Sequence, residues 1–226
     1  MNHIGVAASI GPLVRICAVP VKALERAKGR LADTLAPLER AALTLAMLED
    51  VLDACLRLPG WHVVVISPDQ AVLEVAAKRG VRPLEEEEPG LVAAVRQVEE
   101  AFPTAEQLLV VLGDLPLLTG ESLQRVVRTL GPVVAAPSSS DAGTNVLLRR
   151  PPGIVPPLYG TASFERHREA AELRGVPFSV VRAPELQFDL DRGEDLAQLL
   201  TWPRPTRTKA ACLEMGLPDR LNLRVP

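Results

Sequence analysis

Five apolar residues in succession, Leu108-Leu109-Val110-Val111-Leu112, run directly into Gly113-Asp114-Leu115-Pro116. A strand with no polar alternation has to be covered on both faces, which calls for helices above and below a sheet. The run therefore restricts the chain to layered α/β architectures. It also delivers one carboxylate to the end of a strand, the edge at which open α/β sheets bind ligands. At this point Asp114 has two readings, a cap for the next helix or a metal ligand.

The rest of the chain repeats the same alternation. Apolar runs predict strands over 13–19, 62–66, 108–112, 133–136, 145–148, 178–181 and 186–190. Helical spacing and stop signals predict helices over 37–58, 71–79, 91–101, 121–130, 162–173 and 194–200, with a further short helix over 208–215. Pro37 suits a first helical turn, and Gly80 and Gly131 suit helix ends. Strands alternating with helices imply a three-layer sandwich around a mostly parallel mixed sheet in a single domain, residues 1–226, with a core of about 13–200 and a tail over 202–226. There is no internal repeat and no linker before residue 202.

Composition removes several function classes. The chain has 226 residues, 47% of them hydrophobic but only 3% aromatic, so Leu, Val and Ala must build the core. Its 25 basic and 28 acidic side chains leave a net charge of -3, which is no footprint for nucleic acid and no basic patch for a membrane. No apolar stretch approaches the roughly 20 residues of a membrane span, and residues 1–12 do not read as a signal peptide. Cys17, Cys55 and Cys212 show neither metal-ligand spacing nor a disulfide pattern, which fits a reducing cytoplasm. His3, His62 and His167 form no cluster; His62 is expected to pack at a strand start and His167 to lie on a polar helix face between Arg166 and Arg168.

Four features carry chemistry. The first is Asp114. The second is Phe188-Asp189-Leu190-Asp191, where the period of two in an extended chain sends both carboxylates one way and both apolar side chains the other. Paired carboxylates are relieved by a divalent cation, and oxygen ligands favour magnesium; Asp191 reads equally as a helix N-cap. The third is the segment after the first strand, with Lys22, Arg26, Lys28 and Arg30 within nine residues. It lacks the glycine spacing of a Walker loop or a dinucleotide fingerprint, and its cations suit either a solvated helix face or a set of phosphates. The Glu85–Glu88 run reads as a solvated stretch. The fourth is Asp141-Ala142-Gly143-Thr144-Asn145 followed by Tyr159-Gly160-Thr161-Ala162-Ser163, a turn and a helix start. Free N–H groups there suit an anion, and Ser163 suits an ordinary cap.

Taken in order, these motifs resemble the guanylyltransferases of CofC/FbiD type that act in coenzyme F-420 biosynthesis. The resemblance spans about residues 13–200. It rests on Val19-Pro20-Val21-Lys22 with Ala27-Lys28-Gly29-Arg30-Leu31, on Gly113-Asp114-Leu115-Pro116, on Gly143-Thr144-Asn145, on Tyr159-Gly160 with Ser163-Phe164, and on Asp189-Leu190-Asp191. It implies a nucleotide-diphospho-sugar transferase (GT-A/MobA-like) fold and the transfer of GMP from GTP to a small phosphorylated acid, with release of pyrophosphate. The acid it implies is phosphoenolpyruvate, with 2-phospho-L-lactate or 3-phosphoglycerate in other members. It further implies that Asp114, Asp189 and Asp191 hold two magnesium ions, and that Thr144, Gly160 and Ser163 contact the phosphate of the acid, largely through backbone N–H groups.

On this reading Lys22, Lys28 and Arg30 bind the triphosphate and the departing pyrophosphate. Ser67 and Asp69, after the second strand, are the acceptors assigned to guanine. The product is a reactive phosphoanhydride, which suits direct hand-over to the next enzyme. The chain departs from the family pattern in two places. Val92 stands where members carry Asn, and Ser138-Ser139-Ser140 lacks an expected basic residue. The alternatives are a nucleotidyltransferase of molybdopterin or sugar-phosphate type, and a non-catalytic nucleotide-binding module.

Overall fold

A computed structural model describes residues 14–223. Residues 1–12, His3 and Leu13 lie outside the described residues. The seven strands are β1 (Arg15–Pro20), β2 (His62–Ser67), β3 (Arg82–Glu85), β4 (Gln107–Val111), β5 (Val133–Pro137), β6 (Thr144–Arg149) and β7 (Phe178–Val180). They form one sheet in the order β3-β2-β1-β4-β6-β5-β7. Only β6 is reversed, pairing antiparallel with β4 and with β5, while the other four pairs are parallel. The mixed, mostly parallel sheet expected from the sequence is therefore present.

Side-chain alternation splits the sheet into two dry faces. Cys17, Val19, Val65, Leu109 and Val111 pack with α1 (Pro37–Cys55), α2 (Gln70–Lys78) and α4 (Gly120–Arg128). Ile16, Ala18, Ile66, Leu108 and Val110 pack with α3 (Leu91–Ala101) and α5 (Ser163–Leu173). The five-residue apolar run of the sequence thus supplies both cores, as a strand covered on both faces must. A third cluster joins Leu31, Leu35, Leu117, Phe188 and Leu190 to Leu43 and Met47 of α1 and to α7 (Gly193–Thr201), α8 (Arg207–Glu214) and α9 (Leu217–Arg220), while Leu186 of the short α6 (Pro184–Gln187) packs on the first of the two faces. This core lies under the loops that carry the acidic and basic motifs.

Four expectations are corrected. The predicted strand over 186–190 does not exist: Pro184 opens the one-turn helix α6, and the chain then runs extended without joining the sheet. The strand β3 was not expected, because Arg82-Pro83-Leu84-Glu85 neither alternates nor stays apolar. It is an edge strand, the position where proline and charge are tolerated. His167 is not on a polar face but fully buried. His62 opens β2 and is exposed rather than packed.

Among the described residues, no helix is long and apolar enough to cross a membrane. All three cysteines are free and buried. The segment after Trp202 forms α8 and α9, and Asp50 of α1 fastens it by accepting from the N–H groups of Arg207 and Thr208 and from the Thr208 hydroxyl, at 2.8, 2.9 and 2.6 Å.

Candidate active site

Parallel β1, β2, β4 and β5 all end at one edge of the sheet, and reversed β6 begins there, with Pro137 paired to Thr144 and Val111 to Val146. The loops after β1, β2 and β4 carry Lys22, Lys28, Arg30, Asp69 and Asp114, β6 opens with Thr144, and Asp189 and Asp191 follow α6. Gly113 makes the approach of two of these loops possible. A Cβ at that position would sit 2.9 Å from Cγ2 of Val21, so only glycine lets the Asp114 loop lie against the basic loop.

The centre of the site is Lys28. Its backbone is left-handed (φ 53°, ψ 38°), a conformation that costs a non-glycine residue about 1–2 kcal/mol. The turn points its side chain inward, where only 6% of it is exposed, and Nζ lies 2.8 Å from both Asp114 Oδ2 and Asp191 Oδ1. Burial opposes the ammonium charge, but the two carboxylates outweigh it and hold the lysine above its ordinary range. Arg30, 62% exposed, lies 3.7 Å from Asp191 Oδ2. Burial likewise opposes ionisation of Asp191, yet Lys28, Arg30 and the exposed Lys22 together keep its carboxyl below the usual range. Arg26 is exposed in a 3-10 turn.

Asp189 is the third carboxylate. It is buried, and Oδ1 accepts from the Ser138 hydroxyl at 2.8 Å while Oδ2 accepts from Ser140 at 2.9 Å. Asn145 reaches the same carboxylate at 3.4 Å. Burial raises its pKa, the serines pull it down, and nearby Asp114 raises it again. The backbone joins the two acidic loops directly, Leu190 N–H donating to the Asp114 carbonyl at 3.2 Å.

Neither aspartate read as a possible cap is one. Thr119 caps α4 through the Ser122 N–H, and at α7 it is Asp195 that accepts from the N–H groups of Asp191 and Arg192. Sequence reasoning missed the cradle made by Ser138, Ser140 and Asn145. The only signal in the sequence is the run Ser138-Ser139-Ser140 itself, which stands out for the basic residue it lacks rather than for its hydroxyls.

Whether these residues fit magnesium is decided by three observations. The donors are all carboxylate oxygens, a fixed positive charge already stands between two of them, and Asp114 Oδ1 is buried with no hydrogen-bond partner. Among the described residues no three such side chains form a ready-made metal cluster, and Lys28 lies between Asp114 and Asp191. The donor set and the orphaned oxygen fit the ion.

The second half of the site is built on β6 and α5. Gly160 has φ +111°, which a side chain would strain, and it places the loop before α5. Ala162, not Ser163, is the N-cap of α5, with a left-handed backbone. Ser163 is the first helical residue, and its hydroxyl donates to Thr144 Oγ1 at 3.1 Å. Phe164 N–H donates to the Ala142 carbonyl, which ties the Asp141–Gly143 turn to the helix start. Thr144, Gly160 and Ser163 are thus brought together.

At the β2 end, Asp69 caps α2 through the Ala71 N–H and also accepts from the Leu24 N–H, both at 3.0 Å. Ser67 is buried and accepts from the Asp69 N–H. Both therefore shape the loop, although a carboxylate has about four acceptor positions and Asp69 uses two. Val92 packs half-buried against the second core.

Comparison with known proteins gives a consistent result. The sequence model of a family described as "Guanylyl transferase CofC like" matches residues 15–218. A phosphoenolpyruvate guanylyltransferase of Sphaerobacter thermophilus is 39% identical over 192 residues, covering 83% of this chain and 93% of that protein. A 3-phospho-D-glycerate guanylyltransferase of Phenylobacterium zucineum is 37% identical, covering 80% and 88%. A 2-phospho-L-lactate guanylyltransferase of Methanothermobacter thermautotrophicus is 35% identical, covering 83% and 85%. Among solved structures, a protein of Desulfovibrio desulfuricans G20 described as a nucleotide-diphospho-sugar transferase superposes with a TM-score of 0.76 at 16% identity, covering 94% of this chain and 100% of that one. That likeness establishes the nucleotide-diphospho-sugar transferase fold. The chain belongs to the CofC-like guanylyl transferase family.

Proposed function

We propose that the protein transfers GMP from GTP to phosphoenolpyruvate, or to 2-phospho-L-lactate or 3-phosphoglycerate, releasing pyrophosphate. The product would serve coenzyme F-420 biosynthesis in the cytoplasm and pass directly to the next enzyme. The observation that carries this reading is the buried Lys28 ammonium held between Asp114 and Asp191 at the sheet edge, with Asp189 beside them. With the magnesium ions it would hold, such an array suits two polyanions that must be brought together.

A phosphate oxygen of the acid attacks the α-phosphorus of GTP. A new P–O bond forms, and the bond from the α-phosphorus to the bridging oxygen breaks. The electron pair leaves with pyrophosphate. The attacking phosphate is already ionised near neutral pH, so no side chain has to remove a proton. This suits a site whose one buried histidine is held neutral. Lys22, Lys28 and Arg30 bind the triphosphate and the departing pyrophosphate. Thr144, Gly160 and Ser163 hold the phosphate of the acid, and Asp69, with Ser67 behind it, accepts from guanine. Asp114, Asp189 and Asp191 would hold two magnesium ions, whose chemistry is charge neutralisation and in-line alignment of the two phosphates.

The test is pyrophosphate release with GTP, magnesium and each acid in turn, alongside ATP, CTP and UTP. Release with GTP and one of the three acids is expected. No release with any acid refutes the reading, and GTP binding without turnover would favour the non-catalytic module that Val92 brings to mind.

A further inference from the structure

The three residues assigned to the acid's phosphate meet at one side chain that no sequence motif pointed to. His167 lies on α5, one turn after Ser163, with its ring fully buried. Its Nε2 accepts from the Leu158 N–H at 2.9 Å, and its Nδ1 lies 3.1 Å from Thr144 Oγ1. Leu158 is two residues before Gly160, so the ring joins the Gly160 loop to Thr144, with the Ser163 carbonyl beside it. Tyr159 packs edge-on against the ring, centroids 5.3 Å apart.

These contacts fix the tautomer. A backbone N–H only donates, so Nε2 carries a lone pair. A neutral imidazole then has its hydrogen on Nδ1, shared between Thr144 Oγ1 and the Ser163 carbonyl. Burial first, then Arg149 and Arg166, keep the ring neutral, with its pKa down to about 4. Thr144 Oγ1 also accepts from Ser163. A hydroxyl has two acceptor positions and one hydrogen. With both acceptor positions filled, the only hydrogen of Thr144 has to point at a third group.

We infer that His167 is a positioning residue for the phosphorylated acid: through Nδ1–H it forces the Thr144 hydroxyl to act as a donor to the acid's phosphate. This rests on the placement of that phosphate at Thr144, Gly160 and Ser163. His167 touches no substrate itself. It sets the direction of a hydroxyl that would otherwise turn freely between donating and accepting, and a phosphate needs donors alone.

The experiment is steady-state pyrophosphate release by the full chain. Phosphoenolpyruvate is varied at saturating GTP, then GTP at saturating acid, for Thr144→Val, His167→Gln, His167→Asn and the Thr144→Val/His167→Gln double variant. Thermal melts at pH 7 accompany each. A hydrogen bond to a charged group sets the scale, so His167→Gln should raise KM for the acid about tenfold while KM for GTP stays within about twofold. His167→Asn, whose amide N–H falls near the Nδ1 position, should recover most of the loss. In the Thr144→Val background, His167→Gln should add nothing further.

If Thr144→Val leaves KM for the acid unchanged, the Thr144 hydroxyl does not donate to the phosphate and the inference is overturned, while continued pyrophosphate release leaves the guanylyltransferase reading standing. If Thr144→Val raises KM but His167→Gln multiplies the effect in the double variant, the placement stands and the role of His167 is overturned. Equal loss for both substrates, without rescue by His167→Asn, also overturns it, since that is what a packing role alone would give.

Discussion

The neutral state of His167 makes the stability of the protein fall as the solution is acidified, over a window that the structure defines. The ring is buried, both nitrogens are occupied, and Arg149 and Arg166 face it, so its folded pKa lies at about 4. An unfolded chain returns histidine to about 6.5. The unfolded state therefore takes the proton first, and the stabilisation is complete above pH 6.5 and lost progressively down to the folded value. Each unit of separation is worth about 1.4 kcal/mol, so the full window amounts to about 3 kcal/mol and the step from pH 7 to pH 5 to about 2 kcal/mol. Urea denaturation at pH 7, 6 and 5 measures it, with His167→Asn as the reference. That variant has no titrating ring, so subtracting its pH dependence removes the contributions of Asp189, Asp191 and the exposed carboxylates. The wild-type protein should lose about 2 kcal/mol more than the variant between pH 7 and pH 5. Equal losses would show that the folded chain takes up this proton as readily as the unfolded one, and would refute the claim that burial and the two arginines keep the ring neutral.

Other perturbations test other parts of the structure. Asp189→Ala should abolish pyrophosphate release while circular dichroism stays that of a folded chain, with a lowered melting temperature because Ser138, Ser140 and Asn145 lose their acceptor; retained turnover rejects the ligand role of this carboxylate. Lys28→Met leaves Asp114 and Asp191 facing each other without their shared cation, so it should lose turnover and melt lower, and added magnesium should raise its melting temperature more than it raises that of the wild type. Asp50→Ala removes three acceptor contacts from the start of α8 and should cost about 2–4 kcal/mol in urea titration; a change within about 0.5 kcal/mol would mean that the tail is not fastened there. Gly113→Ala drives a methyl group into Val21 and should cost about 1–3 kcal/mol, with Val21→Ala restoring part of it; no change in the denaturation midpoint would contradict the close packing of the two loops.

Much of the site was legible because its residues obey local rules that do not depend on tertiary context. The segment over 188–191 is not a strand, yet Phe188 and Leu190 are buried while Asp189 and Asp191 turn to the sheet edge, as the alternation predicts. An extended backbone has a period of two whether or not it pairs, so the faces were right where the element was not. His167 was misread because Arg166 and Arg168 flank it, although the buried set Ser163, Phe164, His167 and Ala171 follows helical spacing and marks the inner face of α5. The partners of Asp189 are a different matter. Ser138 and Ser140 lie about fifty positions away in sequence, and no spacing rule reaches that far.

What links those distant segments is the direction of a single strand, and that direction follows from chain length. Six residues, 138–143, separate β5 from β6. A parallel crossover needs a dozen or more, so the chain has to turn back and β6 has to run antiparallel. A parallel β6 would begin at the far edge of the sheet, with Thr144 and Asn145 a strand's length away from Asp114. The reversal instead starts β6 at the carboxyl edge. There Asn145 reaches Asp189, Thr144 meets Ser163 and His167, and the turn over 138–143 lays its serines against the third carboxylate. Lengthening this link enough to allow a crossover would remove the constraint that brings the phosphate cradle to the acidic cluster. The short serine-rich turn is therefore as much a part of the site as the aspartates it holds.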